Sequence, residues 1–406
     1  MNDSILVLNA GSSSLKFALY PFAPGGPPPI LGGKIAGIGT NPVFLALKSV
    51  GTAVPQASPM TLDMSSGLDD LIPKLLDWLN SDHDGLVIRA IGHRVVHGGL
   101  MHNGPALVTD DLLSELDTLV PLAPTHQPHN LAAIRYVAAS NPTLPQVACF
   151  DTSFHRTQDR LSQLFGLPRA MTDEGILRYG FHGLSYEYIS SALPQYLGDQ
   201  ANGRIVVAHL GSGASICAIK ARRSVATSMG FTTLDGLIMG HRCGSLDPGV
   251  VLYLLEEKAL TPKQVKSLLY HKSGLLGVSG ISNDMLALEA DTSLQAQEAI
   301  ELFCYRAARE MTALATDMGG IDAIVFTAGI GEKSALVRRL ICERLKWLGV
   351  DLNLAANEQG ATNIQSVNSI INILVISTDE EAIIAAKTHM LTCSFQANQC
   401  QFNKLE

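Results

Sequence analysis

A repeated strand, turn and strand pattern is the feature that most constrains the fold of this chain. Residues 5–19 read ILVLNAGSSSLKFAL, and residues 205–219, two hundred positions later, read IVVAHLGSGASICAI. In each copy a short apolar run predicts a buried strand, a turn of small residues follows, and a second apolar run predicts a returning strand. The repeat therefore predicts two similarly built domains. Strands that alternate with helices through most of the remainder indicate the α/β class.

Both turns consist of glycine and serine, which let the backbone approach a phosphate closely. Their N–H groups and hydroxyls can donate hydrogen bonds to its oxygens. Ordinary hairpins use the same residues, so either turn alone is ambiguous. The occurrence of two such turns, with Asn9 and Lys16 flanking the first, favours phosphate binding.

A third glycine-rich turn follows a predicted strand at residues 321–326, which read IDAIVF. A long amphipathic helix is predicted before the strand and ends at Gly319. Residues 327–334, TAGIGEKS, are predicted to be a loop, and a helix from Ser334 to Trp347 follows. A strand, a glycine loop and a helix in that order suit a nucleotide at a helix N-terminus. The loop has neither the P-loop spacing nor the dinucleotide spacing.

Composition narrows the range of functions. The 406 residues exceed what one hydrophobic core usually serves, and the net charge of −8 disfavours nucleic acid or an anionic membrane as a partner. No apolar run approaches the roughly 20 residues of a membrane span, and the N-terminus lacks a signal-peptide pattern, so we expect a cytoplasmic protein. Seven scattered cysteines predict reduced thiols, not a metal site.

Two arginines lie in apolar, glycine-bearing segments, where a charge is costly without a partner. Arg94 occurs in IGHRVVHGG and Arg242 in IMGHRCGSLDPG. Guanidinium groups bind carboxylates and phosphates through two parallel hydrogen bonds, so a pair of arginines could hold an acid and a phosphoryl group. Alternatively, either arginine could pair structurally with a carboxylate such as Asp247.

The remaining candidates are histidines and carboxylates. His182, in YGFHG, is the strongest candidate to donate a hydrogen bond to a phosphoryl oxygen, although most histidines are structural. Asp151 follows an apolar run, and together with Glu380 it could hold Mg²⁺. Both carboxylates could equally be helix caps or turn formers. No zinc-binding spacing is present.

Eleven strings in order resemble the acetate and propionate kinase family over almost the whole chain. They are NAGSSSLK, HRVVHGG, LAPTHQPHN, FDTSFH, YGFHG, HLGSGAS, SMGFTTLDGL, MGHRCGSLDPG, SGLLGVSGISND, FTAGIGE and TDEE. The resemblance implies a duplicated actin-like, Hsp70-like and hexokinase-like fold of two ribonuclease H-like domains with an interdomain active-site cleft. The expected domains are residues 1–150 with about 381–406, and residues 151–380.

The resemblance also implies roles for residues of the matching motifs. Catalysis would use Arg94, Asp151, His182 and Arg242. The acid would contact Arg94, Val96, Thr125, Phe181 and Thr233. The phosphoryl group would contact Asn9, His126, His182, His209 and Arg242, and the metal would contact Asn9 and Glu380. The nucleotide would contact Ser12, Ser14, Lys16, His209, Leu210, Gly211, Ser212, Gly213, Asp284, Met285, Leu286, Gly329, Ile330, Gly331, Glu332 and Lys333.

The implied reaction is reversible in-line transfer of the ATP γ-phosphoryl group to acetate, with Mg²⁺ or Mn²⁺, in a homodimer. Propionate or butyrate are alternative acids. Thr125 and Thr233 stand where the family usually has leucine and proline, which would make the acid pocket more polar, so longer aliphatic acids would gain little there. An inactive kinase is a further alternative, because Ser212 replaces an asparagine and Leu286 replaces an arginine. Lys333 also replaces an asparagine of the family, in the nucleotide loop. A nucleotide-dependent clamp protein would leave the paired arginines without a role.

Overall fold

The chain divides into two compact units, Met1–Ser153 with Asp379–Glu406, and Phe154–Thr378. The computed structural model describes residues 2–11, 14–25, 28–38, 43–49, 67–81 and 86–402. The last helix of the chain therefore belongs to the first unit.

The strands of the described residues are numbered in chain order. They are β1 Asn2–Ala10, β2 Ser14–Pro21, β3 Leu31–Ala36, β4 Val43–Ser49, β5 Leu86–Val95, β6 Ala106–Leu107, β7 Gln146–Phe150, β8 Arg204–Leu210, β9 Ala214–Lys220, β10 Arg223–Thr227, β11 Ala323–Thr327 and β12 Asn372–Val375.

The helices are numbered in the same way. They are α1 Leu68–Ser81, α2 Asp110–Thr118, α3 Gln127–Ser140, α4 Arg160–Gln163, α5 Arg169–Asp173, α6 Gly183–Leu197, α7 Pro248–Glu256, α8 Pro262–His271, α9 Gly274–Ser279, α10 Met285–Glu289, α11 Leu294–Met318, α12 Ala328–Lys333, α13 Ala335–Arg344, α14 Leu354–Glu358 and α15 Glu380–Phe402. Short 3₁₀ turns occupy Val120–Leu122, Ser153–Thr157, Gly198–Asn202 and Lys346–Leu348.

The first unit is built on a sheet with strand order β4-β3-β2-β1-β5-β7-β6. Strand β1 pairs antiparallel with β2, where Asn9 lies opposite Lys16, and parallel with β5. Strands β5 and β7 are parallel, which places Arg94 opposite Cys149 and both strand ends at one edge of the sheet. Ligands of α/β sheets bind at this carboxyl edge.

The second unit is built on a sheet with strand order β10-β9-β8-β11-β12. Strands β8 and β9 form an antiparallel hairpin, and β8, β11 and β12 run parallel. The same order and directions occur in β3-β2-β1-β5-β7 of the first unit. The predicted duplication of an α/β unit is therefore confirmed.

Helix α15 packs on the first sheet at a glycine. A Cβ on Gly92 of β5 would contact Thr388 and would lie 2.6 Å from Cγ2 of Ile384, so only glycine permits this approach. Helix α1 covers other apolar residues of this unit, and its Trp78 packs edge-on against Phe17 with ring centroids 6.1 Å apart. This packing fixes the N-terminus of α15 beside the carboxyl edge.

The core of the second unit joins helix α6 to the central strands. Tyr186 and Ile189 of α6 pack with Val207, Cys217 and Val325, all of which are fully buried. Because Tyr186 lies in the first turn of α6, the same packing brings the start of that helix against the ends of β8 and β9.

The local predictions near the third glycine-rich turn are confirmed with one correction. Helix α11 ends at Gly319, whose φ of 76° permits the left-handed helix cap. Residues 327–334 are not the predicted loop, because Ala328–Lys333 form the short helix α12. Ala328 enters it with a φ of 64°, a left-handed turn that alanine rarely adopts and that sequence patterns do not anticipate. Within the described ranges no helix has the length and apolar character needed to cross a membrane.

Candidate active site

Arg94 organises the polar residues of the first unit. Its Nε and Nη2 donate hydrogen bonds to Oδ1 and Oδ2 of Asp151 at 3.1 and 2.7 Å. Its Nη1 lies 3.5 Å from Oδ1 of Asn9, and its Nε lies 3.8 Å from Oε2 of Glu380. Four candidate residues from distant parts of the sequence are thus brought together at the ends of β1, β5 and β7 and at the start of α15.

The electrostatics of this group hold the arginine charged. Burial alone would lower the pKa of Arg94, but Asp151 and Glu380 outweigh it and raise the pKa above its usual value. At the neighbouring Glu381, burial and the Glu380 charge raise the pKa, and Lys16 opposes them. The group therefore combines one guanidinium, which could bind the carboxylate of an acid, with several carboxylates, which could bind a cation.

Helix α3 holds the segment that follows β5. Asn130 accepts from the backbone N–H of Val96 at 3.0 Å and donates to the carbonyl of Ala10 at 2.6 Å. Sequence reasoning missed Asn130, although it lies four residues after His126 in a motif. Thr125 and His126 immediately precede α3, and the Thr125 hydroxyl lies 2.7 Å from Nδ1 of His126. The threonine hydroxyl predicted to make the acid pocket more polar thus has a hydrogen-bond partner.

The first phosphate turn is described only in part. Gly11 N–H donates to the Ser14 carbonyl at 2.8 Å and closes the turn, while Ser12 lies outside the described residues. Lys16 is exposed on β2 opposite Asn9.

In the second unit, two histidines stack at the start of α6. The rings of His182 and His209 lie 4.2 Å apart at an interplanar angle of 21°. Nδ1 of His182 lies 2.8 Å from Oγ of Ser215, and Nδ1 of His209 lies 2.8 Å from Oγ of Ser185. His182 has a φ of 58°, a strained backbone conformation of the kind that concentrates at functional sites.

Arg242 approaches the second phosphate turn. A Cβ on Gly213 would lie 2.8 Å from Nη2 of Arg242 and 3.4 Å from Nε2 of His182, so both groups approach one point of the turn. Nη1 of Arg242 donates to the Thr233 carbonyl at 2.6 Å. Burial lowers the pKa of Arg242 to about 10, which leaves the side chain cationic at neutral pH. Asp247 does not pair with Arg242; it caps α7 by accepting from Gly249 N–H at 2.8 Å.

Phe181, the residue before His182, is held by a histidine that sequence reasoning left unassigned. Nε2 of His155 donates to the Phe181 carbonyl at 2.9 Å, and Nδ1 lies 2.9 Å from Oγ of Ser224. Phe181 is buried, as is Thr233.

A pocket of about 530 Å³ in the second unit is lined by half of the predicted nucleotide residues. The predicted residues that line it are Gly211, Ser212, Asp284, Met285, Leu286, Gly329, Ile330 and Lys333. The described predicted residues that do not line it are Ser14, Lys16, His209, Leu210, Gly213, Gly331 and Glu332. It is also lined by Asn283, Glu289 and Ser334, which sequence reasoning missed. Ser334 could have been found as a helix cap, since its side chain accepts from Val337 N–H.

Helix α12 is held by hydrogen bonds to Arg338 and Ser377, two residues that the sequence analysis did not single out. Arg338 is only 1% exposed and donates to the carbonyls of Gly331 and Glu332 at 2.9 and 2.8 Å. The Glu332 carboxylate accepts from Ser377 Oγ at 2.8 Å. Glu332 therefore has a structural partner in this unit, and α12 is held rigidly beside the pocket.

Taken together, the duplicated α/β fold, the two small-residue turns and the arginine and histidine groups define a phosphotransferase. The chain belongs to the acetokinase family, whose sequence model matches residues 4–386. An acetate kinase of Rhodopseudomonas palustris is 50% identical over 390 residues, covering 95% of this chain and 97% of that protein. An acetate kinase of Rickettsia felis is 41% identical, covering 95% and 98%.

Solved structures show the same relationship. A propionate kinase from Francisella tularensis has a TM-score of 0.86 at 36% identity, covering 95% of this chain and 99% of that one. The acetate kinase of Porphyromonas gingivalis has a TM-score of 0.82 at 32% identity, covering 96% and 100%. The predicted family and fold class are therefore confirmed.

Proposed function

We propose that this chain is an acetate kinase, which transfers the γ-phosphoryl group of ATP to acetate and forms acetyl phosphate and ADP reversibly. The observation that carries the proposal is the approach of Arg242 and His182 to Gly213 of the second phosphate turn. A cation and a hydrogen-bond donor beside a turn of small residues suit a phosphoryl group whose charge is redistributed during transfer. The relatives named acetate kinases support acetate as the acceptor.

The nucleotide would occupy the 530 Å³ pocket between the Gly211 turn, α10 and α12. The volume suits an adenine nucleotide, and pockets of this size commonly bind small molecules. Lys333 is the single cation among the lining residues, and it would interact with the anionic nucleotide.

Catalysis would depend on position and charge. A carboxylate is ionised at neutral pH, so acetate can attack the γ-phosphorus without a general base. As the P–O bond to ADP breaks and the bond to the acetate oxygen forms, charge spreads over the equatorial phosphoryl oxygens. His182 and Arg242 would donate hydrogen bonds to those oxygens, His126 and His209 would line the phosphoryl path, and Arg94 would hold the acid. Asp151 accepts hydrogen bonds from two of the five N–H groups of Arg94, so three N–H groups are not used by that carboxylate.

The donor set of the first unit fits Mg²⁺. Asn9 and Glu380 supply an amide oxygen and a carboxylate near Asp151, and Mg²⁺ characteristically uses one or two carboxylates together with substrate phosphates and waters. No cluster of three or more His, Cys, Asp or Glu side chains suited to a metal occurs in the described part of the chain. Bound there, Mg²⁺ would neutralise negative charge on the β- and γ-phosphates.

Propionate is the second candidate acid, because the structural relative with a TM-score of 0.86 is a propionate kinase. The Thr125 hydroxyl is bonded to His126, so its polarity is already compensated and a short acid need not satisfy it.

We further propose a cytoplasmic homodimer. Helix α7 reads PGVVLYLLE, yet none of its residues is buried, and Leu252 and Tyr253 are 54% and 51% exposed. An exposed apolar helix of this kind is typical of a subunit interface. Sedimentation equilibrium of the wild type should give twice the mass of one chain. The variant Leu252→Glu should give the mass of a single chain. A monomeric wild type would overturn this proposal.

A hydroxamate assay of acyl phosphate tests the activity directly. With ATP and Mg²⁺, acetate should give product with a higher kcat/KM than propionate or butyrate. A higher value for propionate would support the second candidate. Absence of product from every acid, under conditions where the protein is folded, would reject the kinase proposal.

A further inference from the structure

A buried chain of hydroxyl groups lies behind His182. Oγ of Ser215 lies 2.8 Å from Nδ1 of His182 and 2.5 Å from the hydroxyl oxygen of Tyr186. Ser215 and Tyr186 have no exposed surface. Neither residue was among the site residues predicted from sequence, and neither is placed to contact a substrate from inside the core.

The direction of these hydrogen bonds follows from the phenol. Burial raises the pKa of Tyr186 well above its usual value, so its hydroxyl keeps its proton. Hydrogen bonding from the His209 backbone opposes this shift in pKa. Ser215 Oγ is the hydrogen-bond partner of the hydroxyl among the described residues, so we assign the phenol as the donor in that pair. Ser215 then has its single proton to donate to Nδ1 of His182. A neutral imidazole that accepts at Nδ1 carries its proton on Nε2.

The surroundings of His182 favour this neutral form. His182 occupies the N-cap position of the 15-residue helix α6, whose N-terminus carries a partial positive charge that disfavours an imidazolium. The positive charge of Arg242 also disfavours an imidazolium, because Nη2 of Arg242 and Nε2 of His182 approach the same point beside Gly213. The stacked His209 is anchored through its own Nδ1 to Ser185.

We propose that Ser215 and Tyr186 are positioning residues that hold His182 as its Nε2–H tautomer, so that the imidazole donates a hydrogen bond to the transferring phosphoryl group. This inference rests on the proposed phosphotransfer function. The hydroxyl chain orients the imidazole as a hydrogen-bonded carboxylate orients a metal-bound histidine, where loss of the partner costs about 10- to 100-fold in activity.

Two readouts test the inference on the full-length protein. In ¹⁵N-histidine-labelled wild type, His182 should show a protonated Nε2 and an unprotonated Nδ1. Ser215→Ala and Tyr186→Phe should shift the signal towards a mixture of tautomers. They should also lower kcat about 10- to 100-fold while KM for ATP and acetate changes less than about threefold. Ser215→Thr keeps the hydroxyl and should recover most of the kcat.

Ser190→Ala is the matched control. Ser190 lies on helix α6, as Tyr186 does, and its buried hydroxyl donates to the Arg222 carbonyl at 2.8 Å. It should leave the tautomer and kcat unchanged. If Ser215→Ala does not fold, Tyr186→Phe still decides the question, since it retains the packed ring.

A wild-type His182 protonated on Nδ1 overturns the inference, as does a kcat within twofold of wild type in both variants. These outcomes differ from failure of the proposed function, in which the wild type forms no acyl phosphate from any short acid although the tautomer can still be read.

Discussion

Arg94 and Asp151 form a two-point ion pair at the ends of adjacent parallel strands, with Nε–Oδ1 and Nη2–Oδ2 distances of 3.1 and 2.7 Å. The Asp151 side chain is 1% exposed and the Arg94 side chain 20%. A buried pair of this kind is costly to break from one side, because the remaining charge keeps its desolvation penalty without its partner.

Arg94→Ala should therefore reduce stability as well as activity. Because it leaves the Asp151 carboxylate buried and unpaired, we expect the free energy of unfolding to fall by about 3–5 kcal/mol in urea titrations. The double variant Arg94→Met with Asp151→Leu removes both charges and should be more stable than Arg94→Ala while still forming no acyl phosphate. A double variant as unstable as the single one would show that the ion pair is not the source of the loss.

Gly213→Ala should impair phosphoryl transfer without unfolding the second unit. The added Cβ would lie 2.8 Å from Nη2 of Arg242 and would displace the guanidinium. A shift of about 1 Å in such a group can cost about 100-fold in rate, so we expect kcat to fall by that order. Gly166→Ala is the control, because a Cβ there has no heavy atom within 4 Å. Equal kcat values for the two variants would contradict the proposed role of the turn.

Thr125→Leu should shift the preference between acids. A leucine places additional methylene surface in the acid pocket, at about 0.8 kcal/mol per buried CH₂, so the ratio of kcat/KM for propionate to that for acetate should rise about fourfold. Thr125→Ser keeps the hydroxyl beside His126 and should keep the wild-type ratio. An unchanged ratio in Thr125→Leu would mean that Thr125 does not contact the acid.

Lys333 and Leu286 line one pocket from opposite helices, α12 and α10. Loss of the only lining cation in Lys333→Asn should raise KM for ATP about three- to fivefold, and Leu286→Arg in the same background should restore it. Both effects should weaken at high salt. If KM for ATP is the same in all variants across salt concentrations, these residues do not contact the nucleotide.

Three buried histidines predict a loss of stability in acid. Burial lowers the pKa values of His93, His97 and His155 to about 4, against 6.5 for an exposed histidine, although hydrogen bonds to Gln146 and the Phe181 carbonyl oppose the shift at His93 and His155. Between pH 6.5 and 4 the unfolded chain therefore binds more protons than the folded one. The free energy of unfolding should fall with decreasing pH by up to about 1.4 kcal/mol per unit for each histidine.

Urea titrations at pH 7.5 and 5 measure this loss. His93→Gln should reduce the dependence on pH, because it removes one of the buried titrating groups. Identical slopes for the wild type and His93→Gln would contradict the assignment.

The sequence by itself determined the features that depend on neighbours along the chain. The repeat at residues 5–19 and 205–219 gave two hairpins with small-residue turns, because strand, turn and return are local. The helix stop at Gly319 was equally readable, since a left-handed cap needs glycine. The order of short motifs identified the family, because each motif keeps its residues within a few positions.

Only the tertiary structure decided which distant groups meet. Arg94 and Asp151 are 57 residues apart and meet because β5 and β7 are parallel neighbours. Ser215 reaches His182 because helix α6 packs on the β8–β9 hairpin. Such contacts depend on strand order and helix packing, which the amphipathic pattern of a single segment does not encode. Candidate site residues could therefore be named from the sequence, but the hydrogen-bond partners that the structure gives them could not.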